Sequence, residues 1–397
     1  MAEPKVRFKQ DNGNSFPGYC VKQLGDCFFE RNEKASGTEE LLAVTQARGV
    51  VMQCETDKRN VSNPDKSNYK VVYVGDIAYN SMRMWQGAEG ASAYNGIVSP
   101  AYTVIYPKST DVHVFYFEKY FKTQRMLKIF ERNSQGITSD TWNLKFPAFS
   151  KILVNVPCKE EQQKIAVFLS SIDDVIAASE QEIVNLETQK KAVMKKIFSQ
   201  EVRFKRADGS DFPEWENGCF GDLIEIYDER VTAECTLPIL TSSKQYGIQY
   251  QKDHFAKEQL HDITGYGVLP RGYCTYRNRS DGTDFTFNIN NLCDKGIVSK
   301  FYPVFKATDK CVLYFLMTLL NNEPSTVKKI SVTAKGTGQK VLSFLDLQKI
   351  SIPIPCLEEQ KLIADFLSEF DDVIAAAKKE LELWKELKKG LLQQMFV

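Results

Sequence analysis

A chain that resembles itself from end to end at a spacing of just under 200 residues has to fold as two copies of one plan, and this sequence of 397 residues does so. Val6-Arg7-Phe8-Lys9 with Ser15-Phe16-Pro17 returns as Val202-Arg203-Phe204-Lys205 with Asp211-Phe212-Pro213, and Gly25-Asp26 returns as Gly221-Asp222. Mid-unit, Gly96-Ile97-Val98-Ser99 reappears as Gly296-Ile297-Val298-Ser299. The strongest match closes each copy: Val156-Pro157-Cys158, Glu160-Glu161-Gln162 and Asp173-Asp174-Val175-Ile176 recur as Ile354-Pro355-Cys356, Glu358-Glu359-Gln360 and Asp371-Asp372-Val373-Ile374. Each copy is a variable globular part followed by a well-matched tail.

The tails read as long helices. Ile165, Leu169, Ile172, Ile176, Ser179, Ile183, Leu186, Lys190, Val193 and Ile197 follow one another in alternating steps of four and three, a coiled-coil seam. Adding 198 gives Ile363, Leu367, Phe370, Ile374, Ala377, Leu381, Trp384, Lys388, Leu391 and Met395, so both seams break at a small residue and at a lysine. Lys190 and Lys388 either fix register or carry their ammonium groups to water, the second being preferred. Pro157 and Pro355 end the strand-like runs 151–156 and 349–354 just before each helix. Predicted boundaries are therefore a first globular domain over 1–158, a central helix over 159–200, a second domain over 201–356 and a C-terminal helix over 357–397. Within the domains, β-rich runs at 69–74 and 102–106 and a helix over 111–130 predict mixed α/β (α+β) domains.

A seam of this length is a rod of about 50 Å at 1.5 Å per residue, and one rod cannot bury its stripe alone. The nearest partner is the other copy. The order domain, rod, domain, rod predicts two antiparallel coiled-coil helices separating the domains, with a pseudo-two-fold axis across them. DNA advances about 34–36 Å per turn, so such a rod can set two reading heads about a turn apart. A rod that serves only dimerisation or scaffolding fits the periodicity equally well.

The longest apolar stretch, around 311–320, is about half the roughly 20 residues a membrane span needs, and no apolar leader opens the sequence, so the chain is expected in the cytoplasm. Ten cysteines show no paired spacing and are expected to be reduced, packed thiols. Net charge is zero, with 51 basic and 51 acidic residues, but residues 160–200 and 358–397 hold 11 basic and 16 acidic of these, leaving 40 against 35 elsewhere. That excess lies where phosphates would be met.

Catalytic signatures are missing. Gly336-Thr337-Gly338-Gln339-Lys340 is not a phosphate-binding loop, Asn63-Pro64-Asp65-Lys66 lacks the aromatic residue that an amino-methylating loop uses to stack a base, and His254 and His261 do not form a zinc-binding pair. Neither catalysis nor a metal site is expected of this chain. Reading base edges needs arginine, lysine, asparagine or glutamine on reaching loops. Three segments qualify in both copies. Asn80 and Arg83 follow a strand-like run and match Arg277, Asn278 and Arg279. Gln46 and Arg48 match the region of Ser242, Ser243, Lys244 and Gln245, after a threonine shared at Thr45 and Thr241. Lys335 to Lys340 forms a basic, flexible turn opposite 134–138. For any single residue, an ordinary solvated loop charge is the competing explanation.

These motifs resemble the specificity subunits of type I restriction-modification systems. The doubled proline-led helix start with Glu160-Glu161-Gln162 and Glu358-Glu359-Gln360, the endings Ile197-Phe198 and Met395-Phe396, and Phe16-Pro17 with Phe212-Pro213 carry the resemblance over nearly the whole chain. It implies a prokaryotic, non-catalytic subunit with two target-recognition domains on double-stranded DNA. It also implies partnership with two methyltransferase subunits and with restriction subunits; S-adenosylmethionine, ATP and Mg would belong to those partners, with no cofactor held here. Where relatives often carry a second proline, Cys158 and Cys356 stand. Because the loops of the two domains differ, the target should be split and asymmetric. A coiled-coil protein that binds other proteins, and a DNA-modifying enzyme that works alone, are the rival readings.

Overall fold

In the computed structural model, which describes residues 3–36, 38–56, 65–255, 262–282 and 284–396, the chain divides into two units, Met1–Gln181 with Lys378–Val397, and Glu182–Ala377. His261 and the Asn63-Pro64 pair lie outside the described residues. Each unit holds one globular part and a portion of each long helix, and the same plan is built twice.

In the first unit an antiparallel sheet runs in the order Phe28–Glu30, Tyr102–Pro107, Ile77–Asn80, Glu89–Ala91. A hairpin, Leu42–Thr45 with Gly49–Met52, and a pair, Lys70–Val72 with Gly96–Val98, lie beside it. Cys20–Gln23 pairs with Leu153–Val156, the strand that leads into the helix. In the second unit the corresponding sheet runs Ile224–Ile226, Val304–Ala307, Cys274–Tyr276, Phe287–Ile289, with the hairpin Leu240–Ser243 and Gly247–Tyr250, the pair Gly267–Pro270 and Lys295–Val298, and the lead-in pair Glu216–Cys219 and Ser351–Ile354. Gly49 and Gly247 close the two hairpins at φ of 63° and 66°, which a side chain resists. The repeated Gly-Ile-Val-Ser is explained by close packing: a Cβ on Gly96 would stand 2.5 Å from the Glu40 carbonyl, and one on Gly296 would stand 2.4 Å from Leu240.

One predicted helix is broken. Instead of a single element over 111–130, Val114–Phe121 is followed by Gln124–Asn133, because Thr123 adopts extended backbone and its hydroxyl accepts the Met126 N–H as a helix cap. The break turns Phe117, Phe121 and Phe130 onto Phe149 and Leu169 in one core. The second unit repeats this with Leu313–Asn322 and Pro324–Thr333, where the Glu323 carboxylate accepts from Ser325 and Thr326.

The repeated sequence motifs are a clasp. Arg7 donates to both carboxylate oxygens of Glu161 at 3.0 and 2.8 Å and to the Pro17 carbonyl at 2.7 Å. Arg203 grips Glu359 at 3.1 and 2.9 Å and reaches the Pro213 carbonyl. Both glutamates are fully buried, and the two-pronged geometry gives each carboxylate a matched pair of charged donors there. The hydrogen bond to Glu161 raises Arg7 further above its ordinary value, and Glu359 does the same to Arg203. Next in sequence, the Gln162 amide donates to the Asp111 and Pro157 carbonyls and accepts the His113 N–H; Gln360 repeats all three contacts with Lys310, Pro355 and Val312. Phe16-Pro17 and Glu160-Glu161-Gln162 thus lock the start of each long helix to its own domain.

The long helices span Lys159–Phe198 and Leu357–Met395. Ile165, Leu169, Ile172 and Ile183 are buried and Ile176 and Leu186 half-buried; Ile363, Leu367, Ile374 and Leu381 are buried and Phe370 and Trp384 half-buried. In the first unit Asp173 pairs with Lys388 and Glu180 with Lys385, so the two helices run antiparallel there. The seam lysines do not run to water, contrary to expectation. Lys388 ends on Asp173, and Lys190 ends on Asp371, which also accepts from the Tyr314 hydroxyl. These pairs are each other's image under the 198-residue shift. Asp173, also held by Lys119 at 2.8 Å, is pushed up by burial but brought below its ordinary value by the two lysines. The first aspartate of each Asp-Asp motif is thus occupied within its own unit and is not an open acidic patch.

Among the described residues no helix is long and apolar enough to cross a membrane. The ten cysteines are all free.

Candidate nucleic-acid interface

Two sequence-distant segments meet in the second unit around a cleft of about 560 Å³, whose lining includes Lys244, Arg277, Arg279, Ser280, Asp281 and Asp284, and a third is tied to one of them. Lys244 projects from the tip of the hairpin Leu240–Ser243 and Gly247–Tyr250 and is met by Asp284 at 2.9 Å. Arg277 follows the central strand Cys274–Tyr276 directly; it is exposed and has no ion pair among the described residues. The Arg279 guanidinium lies 4.2 Å above the Phe301 ring, which holds its plane in one orientation. Arg279–Ser280 pairs with Lys340–Val341, and the Gln339 amide donates to Asp281 at 3.0 Å, so the third segment is tied to the second.

The turn at 335–340 is pinned and not free. Lys335 and Val341 exchange both backbone hydrogen bonds, and the Lys335 ammonium is drawn to Asp346 at 3.1 Å, away from the cleft lining. Lys340 is half-buried in its short strand. Gln245 is exposed on the hairpin tip but does not line the cleft. Asn278 has its backbone fixed by Phe301 and Leu342, while its side-chain oxygen is buried without a partner.

The first unit places its segments equivalently but builds them differently. Gln46 and Arg48 are exposed at the hairpin tip, where Arg48 donates its N–H to the Thr45 hydroxyl and its guanidinium to the Glu55 carbonyl at 2.9 Å. Ser243 accepts from the Tyr246 N–H in the same way. Thr45 therefore corresponds to Ser243, and not to Thr241: a threonine two residues away in the strand misled the alignment, whereas the turn geometry decides it. Asn80 ends the central strand and its side chain accepts the Met82 N–H; exposed Arg83 precedes the short helix Met84–Gln86. No strand like Arg279–Ser280 forms here. Instead Trp85 and Trp142 meet edge to face at 5.2 Å, Trp142 coming from the loop closed by Gln135 and Asn143.

Sequence reasoning missed Asp281, Asp284 and Phe301, which set the charge and rigidity of the cleft; the adjacent Asp281-Gly282 turn was the available signal. It also missed Glu89. This carboxylate is fully buried, with neither oxygen hydrogen-bonded, and Lys122 is 3.9 Å away. Burial pushes it up to about 8. Among the described residues no group of three or more histidine, cysteine, aspartate or glutamate side chains could hold a metal.

Against known proteins, residues 51–188 and 214–383 match the family model described as the type I restriction modification DNA specificity domain. A protein assigned as the type I restriction enzyme MjaX specificity subunit of Methanocaldococcus jannaschii is 23% identical over 365 residues, covering 84% of this chain and 80% of its own. The MjaVIII specificity subunit of the same organism is 26% identical over 334 residues, covering 78% and 76%. The crystal structure of a type I restriction-modification S subunit from M. genitalium superposes with a TM-score of 0.59 at 14% identity, covering 100% of this chain and 99% of that one. A chain from a study of assembly and conformational transition in a type I restriction-modification system gives 0.54 at 16%, covering 96% and 98%. These structures share the fold.

Proposed function

The chain belongs to the type I restriction modification DNA specificity family, and on that footing we propose that it selects a bipartite, asymmetric DNA site for methyltransferase and restriction subunits while catalysing nothing itself. The observation that carries this reading is the convergence of Lys244, Arg277 and Arg279 on one cleft, matched by equivalently placed but differently built tips at Gln46, Arg48, Asn80 and Arg83. Arginine with a free or stacked guanidinium suits guanine edges, and asparagine and glutamine suit adenine. Unlike tips on a shared scaffold read unlike half-sites. The recognition domains would be 1–158 and 201–356, and the helices 159–200 and 357–397 would fix the spacing between half-sites. S-adenosylmethionine, ATP and Mg would be held by the partners, two methyltransferase subunits and the restriction subunits, in a prokaryotic cytoplasm.

The test is co-expression with the candidate methyltransferase subunit and single-molecule sequencing of the recipient genome for methylated adenine. A split motif that disappears when this chain is omitted is expected. Replacing 201–356 with the corresponding domain of a relative should then change one half of the motif only; a change in both halves, or in neither, overturns the reading.

A further inference from the structure

The first unit has a second cationic cavity, remote in sequence from every segment assigned above to base reading. It has a volume of about 530 Å³ and lies between the bend at 122–125 and the last turns of the C-terminal helix. Lys122, Arg125, Lys385, Lys388 and Lys389 line it, and among the described residues no Asp or Glu side chain does. Its apolar lining comes from Leu392 and Phe396, and the Phe396 ring is stacked on Tyr120 at 5.2 Å and 9°.

The neighbouring acids neutralise part of this charge, Lys385 meeting Glu382 at 3.6 Å as well as Glu180, and leave two cations over. Lys388 is matched by Asp173 and Lys385 by Glu180 at 3.0 Å, whereas exposed Arg125 and Lys389 have no ion pair among the described residues. Lys122 stands 3.7 Å from Glu118 and 3.9 Å from Glu89, and Glu89, pushed up to about 8 by burial, keeps its proton at neutral pH. Like charges gathered in a concavity raise the local potential and favour an anion. Gln124 and Arg125, also in the lining, open the helix Gln124–Asn133; the Thr123 hydroxyl takes the Met126 N–H, and the Gln124 and Arg125 N–H groups have no helical acceptor.

The feature is not a by-product of the repeat. A shift of 198 residues replaces Lys385 with Glu187, and the second-unit cap is Glu323 followed by Pro324 and Ser325 in place of Thr123, Gln124 and Arg125. The second unit thus carries an acid at each of two positions where the first unit has a lysine and a threonine. We propose that the first-unit cavity binds a phosphate group, supplied either by the DNA backbone or by a soluble polyphosphate such as a nucleotide. The Arg125 guanidinium and the Lys389 ammonium, without ion pairs among the described residues and flanked by three further lysines, suit the dense charge of a phosphate.

The test uses the full chain, its Arg125→Gln/Lys389→Gln double variant and a Lys191→Gln control at the position 198 residues before Lys389. Both substituted groups of the double variant are exposed, so thermal melting should be unchanged. Tripolyphosphate binding is read by calorimetry, and affinity for a mixed-sequence duplex is read against salt. The wild type should bind one tripolyphosphate per chain, and the double variant should bind it at least about tenfold more weakly. If DNA is the source, the salt slope of duplex binding also falls by about 2 in the double variant, at about 0.9 per lost phosphate contact, and not in the control. If a soluble polyphosphate is the source, the duplex slope stays and only the calorimetric affinity falls.

The proposal is overturned if the double variant matches wild type in both measurements, or if Lys191→Gln reproduces its effect. Loss of methyltransferase association with both phosphate readouts unchanged also overturns it, in favour of an acidic protein segment. Absence of duplex binding by the wild type would count against the specificity reading, and calorimetry would still decide the cavity.

Discussion

Glu89→Gln is the substitution whose consequence follows most directly from the structure. The carboxylate is fully buried in the strand Glu89–Ala91, neither oxygen has a hydrogen-bond partner, and the nearest cation, Lys122, is 3.9 Å away. Burial raises it from the ordinary 4.5 to about 8, so the folded chain holds a proton that the unfolded chain has released. A raised folded value means the contribution to stability is intact below about 4.5 and is lost as pH climbs through about 8. At 1.36 kcal/mol per pH unit, a gap of about 3.5 is worth roughly 5 kcal/mol. The amide of the variant carries no such penalty, and its unpaired N–H replaces the unpaired O–H of the protonated acid.

Variant and wild type should therefore be almost equally stable at pH 5, with the variant several kcal/mol more stable at pH 8.5. Urea denaturation across that range measures this, with tryptophan fluorescence as the probe, since Trp85, Trp142 and Trp384 all belong to the first unit. Parallel pH profiles for the two proteins would refute the reasoning, because they would mean that the carboxylate is already ionised in the fold.

Arg7→Met should destabilise the first unit by about 3–5 kcal/mol, because it leaves the fully buried Glu161 charge without its partner, and urea denaturation reads this directly. Lys388→Met should cost about 1 kcal/mol or less, as Lys119 still holds Asp173 at 2.8 Å, whereas removing both lysines should cost distinctly more than the two single changes together. Asp173 is held below its ordinary 3.8, so its contribution is present above that value and is lost as pH falls through the lower folded value; acid denaturation of the double-lysine variant should lose this component.

What the sequence determined by itself is whatever short-range chemistry or exact repetition dictates. The seam from Ile165 to Ile197, its copy from Ile363 to Met395, and the boundaries at Pro157 and Pro355 follow from helical periodicity and from proline's missing N–H, and the duplication fixes that two like units are built. Other features need the chain to meet itself. Arg7 finds Glu161 across 154 residues, and Lys190 finds Asp371 across 181. The clasp motifs were visible as repeats, but nothing local told which charge each arginine would face. The Thr123 break was hidden because Val114 to Phe130 is apolar enough to read as one helix, and only packing on Phe149 and Leu169 rewards the bend. The candidate interface was legible as three polar segments, yet the meeting of two of them on one cleft, the stacking of Arg279 on Phe301 and the burial of Glu89 depend on which distant strands pair. Burial and electrostatic potential are properties of assembled neighbours, and a one-dimensional pattern does not contain them.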